Sequence, residues 1–141
     1  MWRNSQPAEV SYDLRHEIEG ENWYPAEADG RWAGLGEVSS IKVLPPGTGQ
    51  YELQLDVVDA MASEILQDME VSLNGVSLPL GKDCEAYPAI FLAQFSTDAI
   101  AESSAWEFKF MFPRSESPSQ HGSNDSRSLT IRLRALRLRK V

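Results

Sequence analysis

Apolar and polar residues alternate with a period of two along much of the chain, a pattern that indicates β-strands. The alternation is clear at residues 12–19, 50–58 and 105–112, and weaker at 38–44 and 89–95. In each stretch the apolar side chains share one face, which predicts strands with one face turned toward a core.

A β-hairpin is predicted at residues 70–80, "EVSLNGVSLPL". Asn74-Gly75 can adopt the positive φ angles of a type I′ turn. A two-residue turn here pairs Leu73 with Val76 and places the apolar residues of both arms on one face. The turn chemistry and the apolar pattern therefore agree.

The last fourteen residues, "SLTIRLRALRLRKV", also alternate, but the apolar phase changes near Ala135. Such a change predicts one extra residue in the strand, a β-bulge. The arginines then form the outward face of the strand, which acidic neighbours can pair across strands. Either Glu52 and Asp56 or the row Asp13, Glu17 and Glu19 could supply them. The alternative is that the arginines form a basic stripe that docks a partner.

The predicted fold is an all-β, antiparallel, jelly-roll-like β-sandwich of about eight strands with one or two short helical turns. Only residues 59–68 and 96–103 have a brief helical pattern. A single domain is expected over residues 1–141, with 1–11 a poorly ordered or edge-strand segment. Residues 113–127 lack a regular pattern, and a loop of that length is usually functional or disordered.

The charge of the chain bears on its partners. The net charge is −8, and all 21 acidic residues precede residue 127, which argues against nucleic acid and anionic lipid. No apolar run is long enough to cross a membrane, and the N-terminus lacks the pattern of a signal peptide. Cys84 is the only cysteine, so no internal disulfide can form. The expected location is cytoplasmic.

No catalytic or metal-binding motif is present in the sequence. There is no nucleophile elbow or phosphate-binding glycine loop, and the two histidines lack metal-ligand spacing. Calcium is chemically possible on Glu27, Asp29, Asn124 or Asp125, but the spacing does not support it. We therefore predict no enzyme activity, no cofactor and no metal.

Three large aromatic residues lie in the turn-rich segment 22–34, "NWYPAEADGRWAG". Trp32 precedes a strand pattern, so its ring is expected to close one end of the core. Trp23 and Tyr24 lie further into the loop and could either pack inward or stay exposed. We expect Trp23 to lie at the surface, where a rigid ring can stack on the apolar face of a sugar.

Polar side chains in the same loop and in the last loop are candidate partners for sugar hydroxyls. They are Glu27, Arg31, Asn124, Asp125 and Arg127. The same groups could instead form an ion-paired latch that ties the first loop to the last. The two roles can coexist.

Four segments in order resemble a known family: "NWYPAEADGRWAG", "VSSIKVLPPGTGQYELQLDV", "VSLNGVSL" and "SPSQHGSNDSRSLTIRLRALRL". They are similar to a carbohydrate-binding-module-like β-sandwich domain that accompanies bacterial glycosyltransferases and other polysaccharide-biosynthesis enzymes. The likeness covers roughly residues 20–139. It departs at "DSRSLTIRL", which replaces the Asp-Arg-Arg-Leu-Gly run of the family, so a remodelled loop exit is expected.

The resemblance implies a non-catalytic accessory module that binds a glycan or polysaccharide, linked to bacterial cell-surface polysaccharide synthesis or modification. Trp23, Tyr24 and Trp32 would be the aromatic members of its site, beside the five polar residues. The alternative is an interaction domain without a sugar site, whose partner is a protein such as a glycosyltransferase or a second copy of the chain.

Overall fold

A computed structural model of the chain describes residues 9–82 and 86–141. These residues form ten strands, one short α-helix and two 3₁₀ turns. The strands are β1 (Glu9–Asp13), β2 (Gly20–Glu21), β3 (Arg31–Trp32), β4 (Val38–Val43), β5 (Gln50–Ala60), β6 (Glu70–Leu73), β7 (Val76–Leu78), β8 (Ala89–Ser96), β9 (Trp106–Met111) and β10 (Ile131–Lys140). The helix α1 is Ser63–Gln67, and the 3₁₀ turns are Thr97–Ala99 and Pro118–His121.

The strands form two antiparallel sheets. Sheet A has the order β1-β10-β5-β8, and the short strand β3 pairs with β10 beside β1. Sheet B has the order β2-β4-β9-β6-β7. The predicted all-β antiparallel sandwich is therefore confirmed, with ten strands in the described residues where about eight were expected.

The core lies between the sheets and consists of the inward residues of the alternating strands. Phe91, Phe108 and Phe110 are the largest fully buried side chains, and Tyr51, Phe95 and Trp106 form an aromatic cluster near one end. Burial of aromatic rings of this size dominates packing energetics. The period-two pattern thus places the apolar face of each long strand in one continuous cluster.

The predicted hairpin is confirmed in its turn and register. Leu73 pairs with Val76, and Val71 pairs with Leu78. Asn74 and Gly75 have φ angles of 48° and 87°, as a type I′ turn requires. Asn74 also ties the hairpin to β9, because its side chain accepts a hydrogen bond from the Glu107 backbone N–H at 2.8 Å.

The continuous strand predicted at residues 12–19 is wrong. β1 ends at Asp13, whose carboxylate accepts hydrogen bonds from the backbone N–H and the guanidinium of Arg15. The chain turns there and crosses from sheet A to sheet B, where it forms β2. Alternation alone could not distinguish a strand from a strand followed by a turn. β1 lies at the edge of sheet A, whereas residues 1–8 lie outside the described part, as does Cys84, so the expectation for residues 1–11 stays a prediction.

The last strand contains the predicted irregularity. The register between β10 and β5 shifts on both sides of Leu133: the first shift leaves Val58 unpaired on β5, and the second leaves Arg134 as an extra residue on β10. The apolar phase changes there, so that both Ala135 and Leu136 are buried. The expected bulge is confirmed, next to Ala135.

Two arginines of β10 pair with acidic residues on β5. Arg137 pairs with Asp56, and Arg139 pairs with Glu52 at 2.9 Å. The β5 alternative is therefore the correct one, whereas Asp13 pairs with Arg15 and His16. Arg137 and Arg139 are neutralised within the chain, so β10 does not present a continuous basic stripe, although Arg134 is exposed and makes no ion pair with a described residue.

Candidate functional site

The loops that contain most of the candidate residues meet at one end of the sandwich. At this end β3 and β9 stop and β4 and β10 begin. The segments 33–37, 112–116 and 128–130 therefore lie together, and backbone hydrogen bonds join Phe112 to Glu37 and Glu116 to Leu129. We call this region the loop end.

Trp23 is not the exposed ring that the sequence predicts. It is half-buried and packs against the hydrophobic core, edge to face with Phe110 at a centroid distance of 5.8 Å. Its indole Nε1–H donates to the Ser40 carbonyl oxygen at 2.8 Å. Asn22 has a φ of 66° and donates from its side chain to the Val38 carbonyl, which directs the ring inward. The expected surface position of Trp23 is therefore wrong.

Trp32 is buried as predicted, at 6% exposure, but it lies outside the hydrophobic cluster of the core. It pairs directly with Arg132 of β10, and directly opposed residues of an antiparallel pair share a face. The Arg132 guanidinium lies over the indole at 5.2 Å from the ring centroid. The next residue, Ala33, enters the core instead. The predicted position of Trp32 at the core end is therefore wrong, although its burial is right.

Tyr24, Glu27, Asp125 and Arg127 do come together. The Arg127 guanidinium donates to the Asp125 carboxylate at 2.7 Å and to Glu27 at 3.1 Å. It also lies over the Tyr24 ring at 5.4 Å from the centroid. The Tyr24 hydroxyl accepts from the backbone N–H of Ser128 at 3.2 Å. These contacts build the expected latch between the first loop and the last.

The electrostatics of this latch follow from its hydrogen bonds. The Arg127 side chain lowers the pKa of Asp125, and the Asp125 carboxylate in turn raises the pKa of Arg127. Glu27 also lies 3.9 Å from Arg132, which pairs with Asp29 at 3.0 Å. Each of the two arginines is thus neutralised by two carboxylates.

Arg31 and Asn124 do not join the group. The Arg31 guanidinium donates to the carbonyl oxygens of Leu14 and His16 at 3.0 and 2.7 Å, and so holds the turn after β1. Asn124 is exposed on the last loop, with no hydrogen bond from its side chain to any described residue. The candidate set therefore separates into a latch, a turn anchor, an exposed amide, a half-buried indole (Trp23) and a buried indole (Trp32).

A cleft of about 670 Å³ opens at the loop end beside Tyr24. Its volume lies within the usual range for small-molecule sites. It is lined by Tyr24, Gly34, Leu35, Gly36, Glu37, Phe112, Pro113, Arg114, Ser115, Ser128 and Thr130. Leu35 is 56% exposed, so the cleft presents an apolar side chain and an aromatic residue among hydroxyl, carboxylate and guanidinium groups.

Thr130 lines this cleft and has an unsatisfied side chain. Its backbone N–H donates to Ala33 and its carbonyl accepts from Met61, so the residue is held at both peptide groups. It is only 1% exposed, and its hydroxyl oxygen has no hydrogen-bond partner among the described residues. An unpaired buried hydroxyl costs roughly 1–3 kcal/mol. A polar group supplied from the cleft would remove that cost.

The last loop is ordered by its own contacts. Ser117 and Gln120 form a capping box at the start of the Pro118–His121 turn. Arg114 pairs with Glu64 of α1 and with Glu116 at 2.8 Å, and Glu116 also contacts His121 Nε2 at 2.7 Å. Hydrogen bonds from Arg114, and then from His121, lower the pKa of Glu116. The wall of the cleft at Pro113 to Ser115 is thereby fixed to α1.

Two further clefts lie elsewhere on the sandwich. One of about 450 Å³ lies at the opposite end and includes Thr48 and Trp106, and one of about 300 Å³ lies beside Ile18. Neither of them includes a described residue with an unpartnered buried side-chain polar atom. The loop-end cleft is therefore the best candidate site.

Sequence reasoning missed most of the residues that line this cleft. Leu35 and Glu37 lie in the segment 33–37 and Thr130 lies in the segment 128–130, and the proximity of these two segments depends on the pairing of β3 with β10. One signal was available for Thr130, because it occupies the same phase as the arginines of β10 without carrying a charge. No group of three or more His, Cys, Asp or Glu residues that could hold a metal ion occurs within residues 9–82 and 86–141.

Comparison with known proteins reveals a likeness to a solved structure. The fold is similar to the native structure of a family 35 carbohydrate binding module from Clostridium thermocellum, with a TM-score of 0.53 and 12% identity. The alignment covers 96% of this chain and all of that chain. No protein-family model matches the sequence, and no curated protein matches it. The likeness establishes the type of fold. In the part of the chain that the structure describes, no helix is long and apolar enough to span a membrane.

Proposed function

We propose that this protein is a non-catalytic carbohydrate-binding module and that the loop-end cleft is its glycan site. The observation that carries the proposal is the unpartnered hydroxyl of Thr130 in a cleft beside Tyr24. Binding sites of this kind combine apolar and aromatic lining with a few convergent polar groups. The likeness of the fold to a carbohydrate binding module supports the same function.

The proposal changes the role of the residues expected from the sequence. Tyr24 borders the cleft, whereas Glu27, Asp125 and Arg127 hold Tyr24 and the last loop in place. Leu35 and Tyr24 would contact the apolar face of a sugar ring, and Thr130 would exchange a hydrogen bond with a sugar hydroxyl. Trp23 and Trp32 do not line the cleft, so neither is assigned a sugar contact.

The link to bacterial polysaccharide synthesis and to glycosyltransferases is a finer proposal. It rests on the order of the four sequence segments that resemble such accessory domains, including segment 22–34, which borders the cleft. The single-domain organisation and the cytoplasmic location also stay predictions. Identification of the neighbouring coding regions would test the link to polysaccharide enzymes.

A glycan array followed by titration of a matched pair of variants tests the proposal. Thr130→Val removes the unpartnered hydroxyl and keeps the shape of the side chain, so stability should be unchanged or increased. Binding to the array hit should weaken, because one hydrogen bond to the sugar is lost. Thr48→Val makes the same chemical change at the opposite end of the sandwich and should leave binding unchanged. A hit whose affinity is insensitive to Thr130→Val would place the glycan elsewhere.

The alternative function, docking of a second copy or of a protein partner, is favoured by a different observation. Ile90 and Leu92 are 57% and 42% exposed on the outer face of the edge strand β8. Two exposed apolar residues on an edge strand can contribute to an interface. A molecular mass that rises with concentration and is lowered by Leu92→Lys, together with no array hit, would support docking instead.

A further inference from the structure

The charges around the loop-end cleft bear on the class of sugar that it can take. Three arginines and six carboxylates lie in and next to it: Arg114, Arg127, Arg132, Glu27, Asp29, Glu37, Glu64, Glu116 and Asp125. Every one of these arginines contacts two carboxylates. The region is therefore negatively charged and offers no unpaired guanidinium.

Among the described residues that line the cleft, Arg114 is the only basic one. One of its terminal nitrogens donates to Glu116 at 2.8 Å, and the other donates to Glu64. A sugar carboxylate that approached Arg114 would have to compete with both. An anionic ligand thus gains little from the one cation in the lining.

Glu37, unlike Arg114, has a side-chain charge that is not paired with any described residue. Its backbone carbonyl accepts from Phe112 N at 3.0 Å, which fixes the residue at the edge of the cleft. Its side chain is exposed and makes no ion pair with any residue in the described ranges. The cleft therefore presents one uncompensated negative charge to its ligand.

We infer that the loop-end cleft binds a sugar without a negative charge, a neutral hexose or an amino sugar, and discriminates against uronic acids and sulfated or phosphorylated sugars. The inference rests on the proposed glycan-binding function and specifies its ligand. Two like charges about 4 Å apart in water repel each other enough to lower an affinity by roughly fivefold. This repulsion decreases as salt is added.

The experiment compares neutral and acidic partners of the same geometry. Gluco-, galacto- and manno-configured trisaccharides are each titrated as the neutral hexose chain and as the C6-oxidised uronate chain, in 20 mM and in 300 mM salt. At least one neutral chain should bind, and its uronate counterpart should bind about fivefold more weakly at low salt. The ratio of the neutral to the uronate affinity should approach one at high salt.

Glu37→Gln identifies the group responsible. This exposed substitution keeps the shape of the side chain, and a thermal melt verifies that the fold is intact. In Glu37→Gln the ratio of the neutral to the uronate affinity should decrease toward one. The control variant is Glu102→Gln, which lies at the opposite end of the sandwich and should keep the wild-type ratio.

Two results would overturn the inference while leaving glycan binding in place. One is a uronate chain that binds as tightly as its neutral counterpart or more tightly. The other is a ratio that Glu37→Gln leaves unchanged. If no chain of either class binds and the glycan array is also silent, the proposed function itself fails, and the inference fails with it.

Discussion

Trp23→Ala is expected to destabilise the fold substantially, because the Trp23 ring belongs to the packing of the core. Three contributions are lost: the buried part of the ring, the edge-to-face contact with Phe110, and the hydrogen bond to the Ser40 carbonyl. The aromatic contact is worth about 0.5–1.5 kcal/mol. A buried carbonyl left without its donor costs about 1–3 kcal/mol.

Truncation of a fully buried aromatic side chain costs about 3–5 kcal/mol. Trp23 is only half-buried, so we expect a loss near the lower limit, about 3 kcal/mol. That is a large part of a typical unfolding free energy of ~5–15 kcal/mol. For a chain of this size it corresponds to a decrease in Tm of roughly 6–12 °C.

Urea and thermal unfolding of two Trp23 variants measure the loss. Trp23→Phe keeps most of the apolar ring but lacks the indole N–H, so it should lose about 1 kcal/mol. The control is Leu44→Ala at a residue that is 79% exposed, which should stay within about 0.5 kcal/mol of wild type. A Trp23→Ala protein as stable as this control would refute the reasoning, since the ring would then contribute nothing to the core.

Three further predictions concern the loop end and the last strand. Trp32→Ala should also cost about 3 kcal/mol in urea unfolding, because the ring is buried beneath Arg132; an unchanged midpoint would contradict this packing. Arg134→Ala should change stability by less than about 0.5 kcal/mol, because the exposed Arg134 makes no ion pair with a described residue; a larger loss would indicate a partner for its side chain. Arg127 lowers the pKa of Asp125 from its ordinary value of 3.8. The ionised Asp125 carboxylate therefore stabilises the fold at pH values above 3.8, and this stabilisation is lost as pH falls through the lower pKa of the folded state. The stability difference between wild type and Asp125→Asn should therefore be constant above about pH 5 and shrink below about pH 4; a difference that grows in acid would have the wrong sign.

The sheets could be predicted from the sequence because alternation reports directly which side chains face the core. The strands β5, β8 and β9 and the Asn74-Gly75 turn follow from pattern and turn chemistry alone. At residues 12–19 the same alternation continues through a turn, because the Asp13–Arg15 contact and the crossing to sheet B at Gly20 leave no trace in the apolar pattern.

The orientation of the loop tryptophans could not be predicted, because it depends on pairing between distant segments. The bridge between Trp23 and Ala33 and the pairing of Trp32 with Arg132 decide which face each indole occupies. The latch could be predicted from the sequence, because opposite charges in the first and last loops suggest contact. The cleft could not be predicted, because Glu37 and Thr130 become neighbours only through the sheets that bring their loops together.

The measurement that tests the account most directly is an NMR titration of the ¹⁵N-labelled protein with the neutral trisaccharides. The account predicts saturable chemical-shift changes at the amides of Leu35, Glu37 and Ser128, with the changes lost or weakened in Thr130→Val. Saturable changes confined to Ile90–Leu92, or no saturable change while the array is also silent, would contradict a glycan site at the loop end.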